Sequence, residues 1–428
     1  MSKVQQSETG KLIKYGWYFL LVGLIVNYIY RLVFHATPID KIIVGSDMEG
    51  YYQYLFHFFV KDWELFDRMP WTIPYGEGKT LSVFTCGLAI LWSPFFLIAH
   101  LISIFCGLQA DGKTNLYYGF ILVAGIVYTY IGLVFLYKLL RRYFNHRTSL
   151  WSTSLFFLAT NVFFYSVLLG AGMSHVYSFT MISIYLFFCH RFAEKPSLKN
   201  LIFLGIPFAI AVLIRPTNII SGIYLFMMGV SNWETLKERF QFWVKNYWAI
   251  LTLLAIGIIV FIPQMAYWHY VTGKFLVYSY QEYGFPNWKL PKIGIVLFGK
   301  YNGWLTYTPI VIFALTGLFI QLWRKQINSL GTLFILVFAT YVNASWWVPT
   351  FSAAVGQRAM IDFLPFLALP LAFVVNGIRS LSRSQRIGLG IIIGIFVFYN
   401  IQFGFRYDSG MWWDSPMTWT KFWTTLKF

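Results

Sequence analysis

Residues 87–108 read Gly-Leu-Ala-Ile-Leu-Trp-Ser-Pro-Phe-Phe-Leu-Ile-Ala-His-Leu-Ile-Ser-Ile-Phe-Cys-Gly-Leu. The segment Leu88–Leu108 is apolar enough to cross a bilayer, which takes roughly 20 predominantly apolar residues. If it crosses, the cluster Arg141, Arg142 and Arg147 falls outside and every later loop inverts. If it lies at the outer interface, or dips in and out, the basic loops all share one side. Those loops hold Arg141, Arg142 and Arg147; Arg191, Lys195 and Lys199; Lys237, Arg239 and Lys245; Arg324 and Lys325; and Arg379, Arg383 and Arg386. Lys and Arg accumulate in cytoplasmic loops, so the interfacial reading is adopted. Pro94 and His100 fit that role.

Working outward, an apolar run from Tyr15 to Phe34 follows Lys3, Lys11 and Lys14. It is long for a signal-peptide core and lacks a small-residue cleavage site, so it reads as a retained anchor with its N-terminus inside. Further runs fall near 115–138, 149–169, 175–193, 200–214, 218–231, 247–270, 303–323, 329–346, 361–377 and 386–405. The expected fold is an all-α, polytopic transmembrane bundle of about eleven spans, with interfacial helices in the first outer loop, 35–114. It forms one membrane domain over 1–428, without internal repeats.

Composition agrees. The chain is 58% hydrophobic and 11% charged, too apolar and too sparsely charged for an aqueous surface. The net charge of +17 is explained by cytoplasmic loops facing anionic lipid, and nucleic acid is not an expected partner. Cys86, Cys106 and Cys189 lack metal-ligand spacing; Cys86 and Cys106 could pair. Trp63, Trp71, Trp268, Trp288, Trp346, Trp347, Trp412, Trp413 and Trp419 crowd the outer stretches. An interfacial belt is their ordinary explanation, a sugar-stacking surface the functional one.

The first outer loop opens with Val44-Gly45-Ser46-Asp47-Met48-Glu49-Gly50-Tyr51-Tyr52. Gly45 and Gly50 allow sharp turns on either side, and an amphipathic helix is expected to begin here. A carboxylate at this boundary can act as a general base toward a hydroxyl, or Asp47 and Glu49 can bind a divalent cation. Equally, Ser46 or Asp47 can be a helix N-cap.

Several motifs then follow in order. They are Gly87–Phe96 around Pro94, Gly172-Met173-Ser174-His175-Val176-Tyr177-Ser178, Leu213-Ile214-Arg215-Pro216-Thr217-Asn218, Tyr301–Pro309, and Ser345-Trp346-Trp347 followed by Gly356-Gln357-Arg358. Together with the first-loop carboxylate, they resemble the GT-C glycosyltransferases, nearest the protein mannosyltransferase and aminoarabinose transferase branch. The likeness covers about residues 15–405. Among the departures from it, Asp-x-Glu stands where the mannosyltransferases have adjacent Asp-Glu, and Pro94 is single rather than double.

The resemblance implies a catalytic module over 15–270 and variable helices over 271–428. It implies a polyprenyl-phosphate sugar as donor, a glycolipid, polysaccharide or protein as acceptor, and inversion at the anomeric carbon. Asp47 is then the base, with Glu49 beside it. A departing phosphate needs positive charge, and the fork of Arg suits it. Arg215, Arg358, Lys79 and Lys300 are the candidates. His175, Tyr307, Asn302 and Tyr51 are expected at the substrate. The basic loops and compact length point to a bacterial inner membrane with the site on its extracytoplasmic side. The rival reading is a transporter or flippase for a lipid-linked or anionic solute; a polymerase or ligase of lipid-linked glycans is a third. Transporter sites lie near the bilayer midplane on broken helices, whereas this carboxylate pair is in a loop, and few acids fall within the spans.

Overall fold

The structure, a computed structural model, describes residues 3–33, 46–60, 71–75, 79–168, 171–280, 283–326, 328–351, 354–406 and 417–426. Gly45, Trp63, Trp412 and Trp413 lie outside the described residues. The elements are α1 (Lys3–Val33), α2 (Asp47–Phe59), β1 (Thr72–Tyr75), β2 (Lys79–Ser82), α3 (Gly87–Phe105), α4 (Asn115–Leu140), α5 (His146–Leu158), α6 (Val162–Val167), α7 (Ser174–Glu194) and α8 (Leu198–Ile214). A 3₁₀ segment, Pro216–Ser221, leads to α9 (Gly222–Phe226), α10 (Trp233–Lys245), α11 (Tyr247–Thr272), α12 (Ile293–Phe298), α13 (Trp304–Tyr307), α14 (Val311–Trp323) and α15 (Ser329–Ser345). The 3₁₀ segment Arg358–Leu367, α16 (Ala368–Gly377), α17 (Arg383–Arg406) and α18 (Trp419–Leu426) complete the chain. The protein is a helical membrane bundle.

Among the described residues, seven helical stretches are long and apolar enough to cross a membrane: Lys11–Val33, Gly87–Phe105, Asn115–Leu140, Ser174–Glu194, Tyr247–Thr272, Arg358–Ser380 and Arg383–Arg406. Leu198–Ile214, Val311–Trp323 and Ser329–Ser345 are shorter and apolar. Several expected spans are not continuous α-helices: 303–323 is interrupted between α13 and α14, and 361–377 begins as a 3₁₀ segment. The run 149–169 breaks between α5 and α6 at Ala159–Asn161, where Asn400 of α17 donates to the Leu158 and Thr160 carbonyls at 3.3 and 2.5 Å. Backbone that leaves the helix at membrane depth needs such partners, because lipid offers none. The run 218–231 becomes the 3₁₀ segment and α9. It travels beside α7, from Ser178, bonded by Asn218 at 2.9 Å, to His190, bonded by Tyr224 at 2.8 Å.

The bundle has two chemically distinct ends. At one, Arg142 pairs with Glu194 and Arg379 donates to Asn145 at 3.0 Å. Arg239 donates to the Leu225 carbonyl at 2.7 Å, and Arg324 lies over the Phe373 ring. The basic loops predicted to share a side therefore meet at one end. The other end carries α2, the turn before α7, the end of α8 and the start of the Arg358–Leu367 segment.

α3 begins at this second end, where Gly87 abuts the backbone of Leu213 and Ile214. It then runs antiparallel to the first half of α4: Tyr128 donates to the Leu91 carbonyl at 3.1 Å, and His100 meets the Tyr117 hydroxyl at 2.7 Å. Pro94 leaves the Ile90 carbonyl without its helical donor, and the Ser93 hydroxyl takes its place at 2.8 Å. Cys86 and Cys106 flank this helix, so about 28 Å of helix separates them and they do not pair; Cys86 is buried and Cys106 exposed. The small antiparallel hairpin β1–β2 pairs Thr72 with Ser82 and Tyr75 with Lys79. Tyr267 of α11 clasps it, accepting from the Ser82 N–H and donating to the Thr80 carbonyl.

Candidate active site

Ser46 caps α2, its hydroxyl accepting from the Met48 N–H at 3.2 Å. Asp47 thus becomes the first helical residue. Its carboxylate lies 2.9 Å from a terminal nitrogen of Arg358, an ion pair with both side chains partly exposed. Glu49 is buried half a turn on. Residues two apart on a helix do not face each other, and Asp47 is partly exposed where Glu49 is buried. Among the described residues, no group of three or more His, Cys, Asp or Glu side chains is arranged to hold a metal ion. Gly50 does not turn the chain. It lies inside α2, where a Cβ would collide with the Phe84 ring at 2.4 Å.

Tyr51 follows on the buried side, stacked on Phe84 with ring centroids 4.5 Å apart. Its hydroxyl bonds the Ser174 side chain, and it feels the charges of Arg215, Asp47 and Arg358. Burial pushes its phenol above the ordinary range, and the two guanidiniums pull it back. Tyr280, which the sequence reading missed, is raised by burial and interacts with Tyr51, Arg215 and Asp47. These two rings tie the Asp47–Arg358 pair to the neighbourhood of Arg215.

Arg215 ends α8 in extended backbone, as a residue before proline is forced to be. Its Nε lies 3.1 Å from Oδ2 of Asp362, and Oδ1 of the same carboxylate lies 2.9 Å from Nδ1 of His175. Asp362 and His175 are wholly buried. Asp362 was not among the expected site residues. A signal was present: it is the only Asp or Glu within the eleven apolar runs, and an ionisable residue inside a span is by default a functional candidate.

Arg358 is presented by a pinned turn. Asn161 donates to the Val355 carbonyl at 3.1 Å, the Val355 N–H donates to the Tyr165 hydroxyl at 3.2 Å, and Gln357 donates to the Pro349 carbonyl at 2.8 Å. Gly356 has φ +69°, and a Cβ there would come within 2.9 Å of the Tyr307 Cβ. Tyr307 therefore backs this turn; its hydroxyl donates to the Lys300 carbonyl at 2.8 Å. Asn302 donates to the Thr350 carbonyl at 2.9 Å. Lys300 is exposed. Lys79 donates to the Tyr270 carbonyl at 3.2 Å and lies over that ring. Of the predicted residues, Asp47, Tyr51, His175, Arg215 and Arg358 are drawn into one charged set. Lys79 is engaged by Tyr270 and Asn302 by the Thr350 carbonyl, while Tyr307 stands behind the Arg358 turn.

A polytopic helical bundle with acids and guanidiniums gathered at the end away from its basic loops defines a multi-pass membrane protein with a polar site. Residues 94–268 match the model of the family dolichyl-phosphate-mannose-protein mannosyltransferase, a GT-C superfamily domain. The matched stretch is less than half of the chain and includes His175 and Arg215. In general terms the family is one of glycosyltransferases that use polyprenyl-phosphate sugars. Among curated proteins none matches.

Proposed function

We propose that this protein is an inverting glycosyltransferase that moves a sugar from a polyprenyl-phosphate carrier to an acceptor hydroxyl at the non-cytoplasmic membrane face. The observation that carries the reading is the Asp47–Arg358 ion pair, with Arg215 electrostatically linked to it through Tyr51. A base and two cations at one end of a bundle are the groups that displacement of a phosphate requires. The acceptor oxygen attacks the anomeric carbon as the bond from that carbon to the phosphate oxygen breaks. The phosphate leaves with the bonding electrons onto Arg215 and Arg358, and Asp47 takes the acceptor's proton. An incoming donor phosphate draws Arg358 away from Asp47 and so frees the base. Glu49 supports the acceptor or orients Asp47; no step is routed through a metal.

The basic loops support the sidedness, since that end is the cytoplasmic one by the distribution of Lys and Arg. The non-cytoplasmic face of a bacterial inner membrane fits it. Donors carrying a hexose such as mannose, or a pentose, are both in scope, and the acceptor is a glycolipid, polysaccharide or protein.

Asp47→Asn is expected to abolish transfer while leaving expression and folding unchanged, assayed with a matched lipid donor. Wild-type turnover in that variant removes Asp47 from the mechanism. Arg215→Ala is expected to raise the KM for the donor more than that for the acceptor. An equal loss on both sides means a structural role.

A further inference from the structure

A single buried carboxylate serves two groups of this site. Oδ1 of Asp362 is 2.9 Å from His175 Nδ1, and Oδ2 is 3.1 Å from Arg215 Nε. Nε2 of His175 is buried and meets no hydrogen-bond partner. A buried ion pair adds little net stability, because desolvation offsets the attraction. What it does supply here is orientation.

Two acid–guanidinium couples stand here, Asp362 with Arg215 and Asp47 with Arg358. A neutral imidazole adds no further charge beside them, with its proton on Nδ1 facing the carboxylate. The partner of one ring nitrogen fixes the role of the other, so Nε2 is left as an acceptor. An acceptor takes a hydroxyl, not a phosphate oxygen. Arg215 meets the other carboxylate oxygen of Asp362 as a close ion pair through Nε, which places its guanidinium at the same site.

We infer that Asp362 is a positioning residue: it fixes His175 so that Nε2 accepts a hydrogen bond from a sugar or acceptor hydroxyl, and it aims Arg215 at the donor phosphate. This rests on the donor-phosphate reading of the site and adds how a hydroxyl-bearing substrate is selected. A site built around a buried acceptor rejects analogues lacking the matching hydroxyl, since the acceptor is then left unpaired.

The test uses the full-length chain in lipid nanodiscs with ¹⁵N-labelled histidine, and the His175→Gln spectrum assigns the ring. In the wild type the His175 ring is expected in the Nδ1–H form. In Asp362→Asn an amide donates to Nδ1 and drives the proton to Nε2. In parallel, affinity for sugar-free polyprenyl phosphate, read by tryptophan fluorescence, is expected to fall roughly 10-fold as Arg215 loses its anchor. A wild-type His175 in the Nε2–H form overturns the inference. So does a folded Asp362→Asn that keeps either the wild-type tautomer or the wild-type affinity. If Asp362→Asn does not fold, the comparison of wild type with His175→Gln still decides it. Neither readout needs turnover, so its failure is distinct from failure of the transfer reaction, which Asp47→Asn reads.

Discussion

Asp47 and Arg358 hold each other in a partly exposed ion pair. Such pairs contribute only about 0–1 kcal/mol, so an arriving phosphate can displace the carboxylate at small cost. Arg358→Ala is therefore expected to leave the melting temperature nearly unchanged and to raise the donor KM roughly 10-fold or more; a large drop in melting temperature with unchanged KM contradicts this. Gly356 is the opposite case. With φ +69° and Tyr307 behind it, Gly356→Ala is expected to cost about 1–3 kcal/mol, seen as earlier thermal unfolding, together with lost transfer because Arg358 is displaced. At this scale the sequence disclosed the charges that stand beside apolar runs: Asp47, Arg215, Arg358 and His175. Asp362 was visible as the one acid in a span, but its partners were not, because their meeting depends on how α7, α8 and the Arg358–Leu367 segment pack. Lys79 and Lys300 ranked below the arginines as phosphate ligands, and nothing local showed that Lys79 is engaged by Tyr270 or that Lys300 is exposed.

The elements depend on polar side chains that stop helices inside the apolar layer. Asn400 satisfies two carbonyls at the α5–α6 break, and Asn27 donates to the Val167 and Leu168 carbonyls at 2.7 and 3.0 Å where α6 ends. Removing such a donor leaves carbonyls with no alternative partner, at about 1–3 kcal/mol each. Asn400→Leu and Asn27→Leu are each expected to lower the melting temperature in detergent, and the double variant to lower it by the sum, since the sites cap different ends. These breaks were hidden in the sequence because Thr160 and Asn161 are too weak as helix breakers to interrupt an apolar run. The position of long, regular helices such as α4, α7 and α11 was legible, because length and hydropathy suffice for them. The break after α8 was half legible: Pro216 marks it, but the 3₁₀ return was not foreseeable from composition.

For the whole molecule, the placement of α3 governs sidedness. Cys106 is exposed at its far end, while Cys86 and Cys189 are buried. A membrane-impermeant maleimide added to sealed right-side-out vesicles is expected to modify Cys106. Absence of labelling there, with labelling in inverted vesicles, would mean that α3 crosses and that the basic end faces outward. The gathering of the basic loops was readable from charge distribution, whereas the convergence of distant segments on one site was not. Both couples in that site join residues from opposite parts of the chain: Asp47 to Arg358, and His175 with Arg215 to Asp362. A nascent polypeptide emerging from the ribosome thus possesses neither couple until its final third has been inserted. Its reactive groups stay disarmed throughout biogenesis, and truncated translation products lack the means to act on the lipids around them.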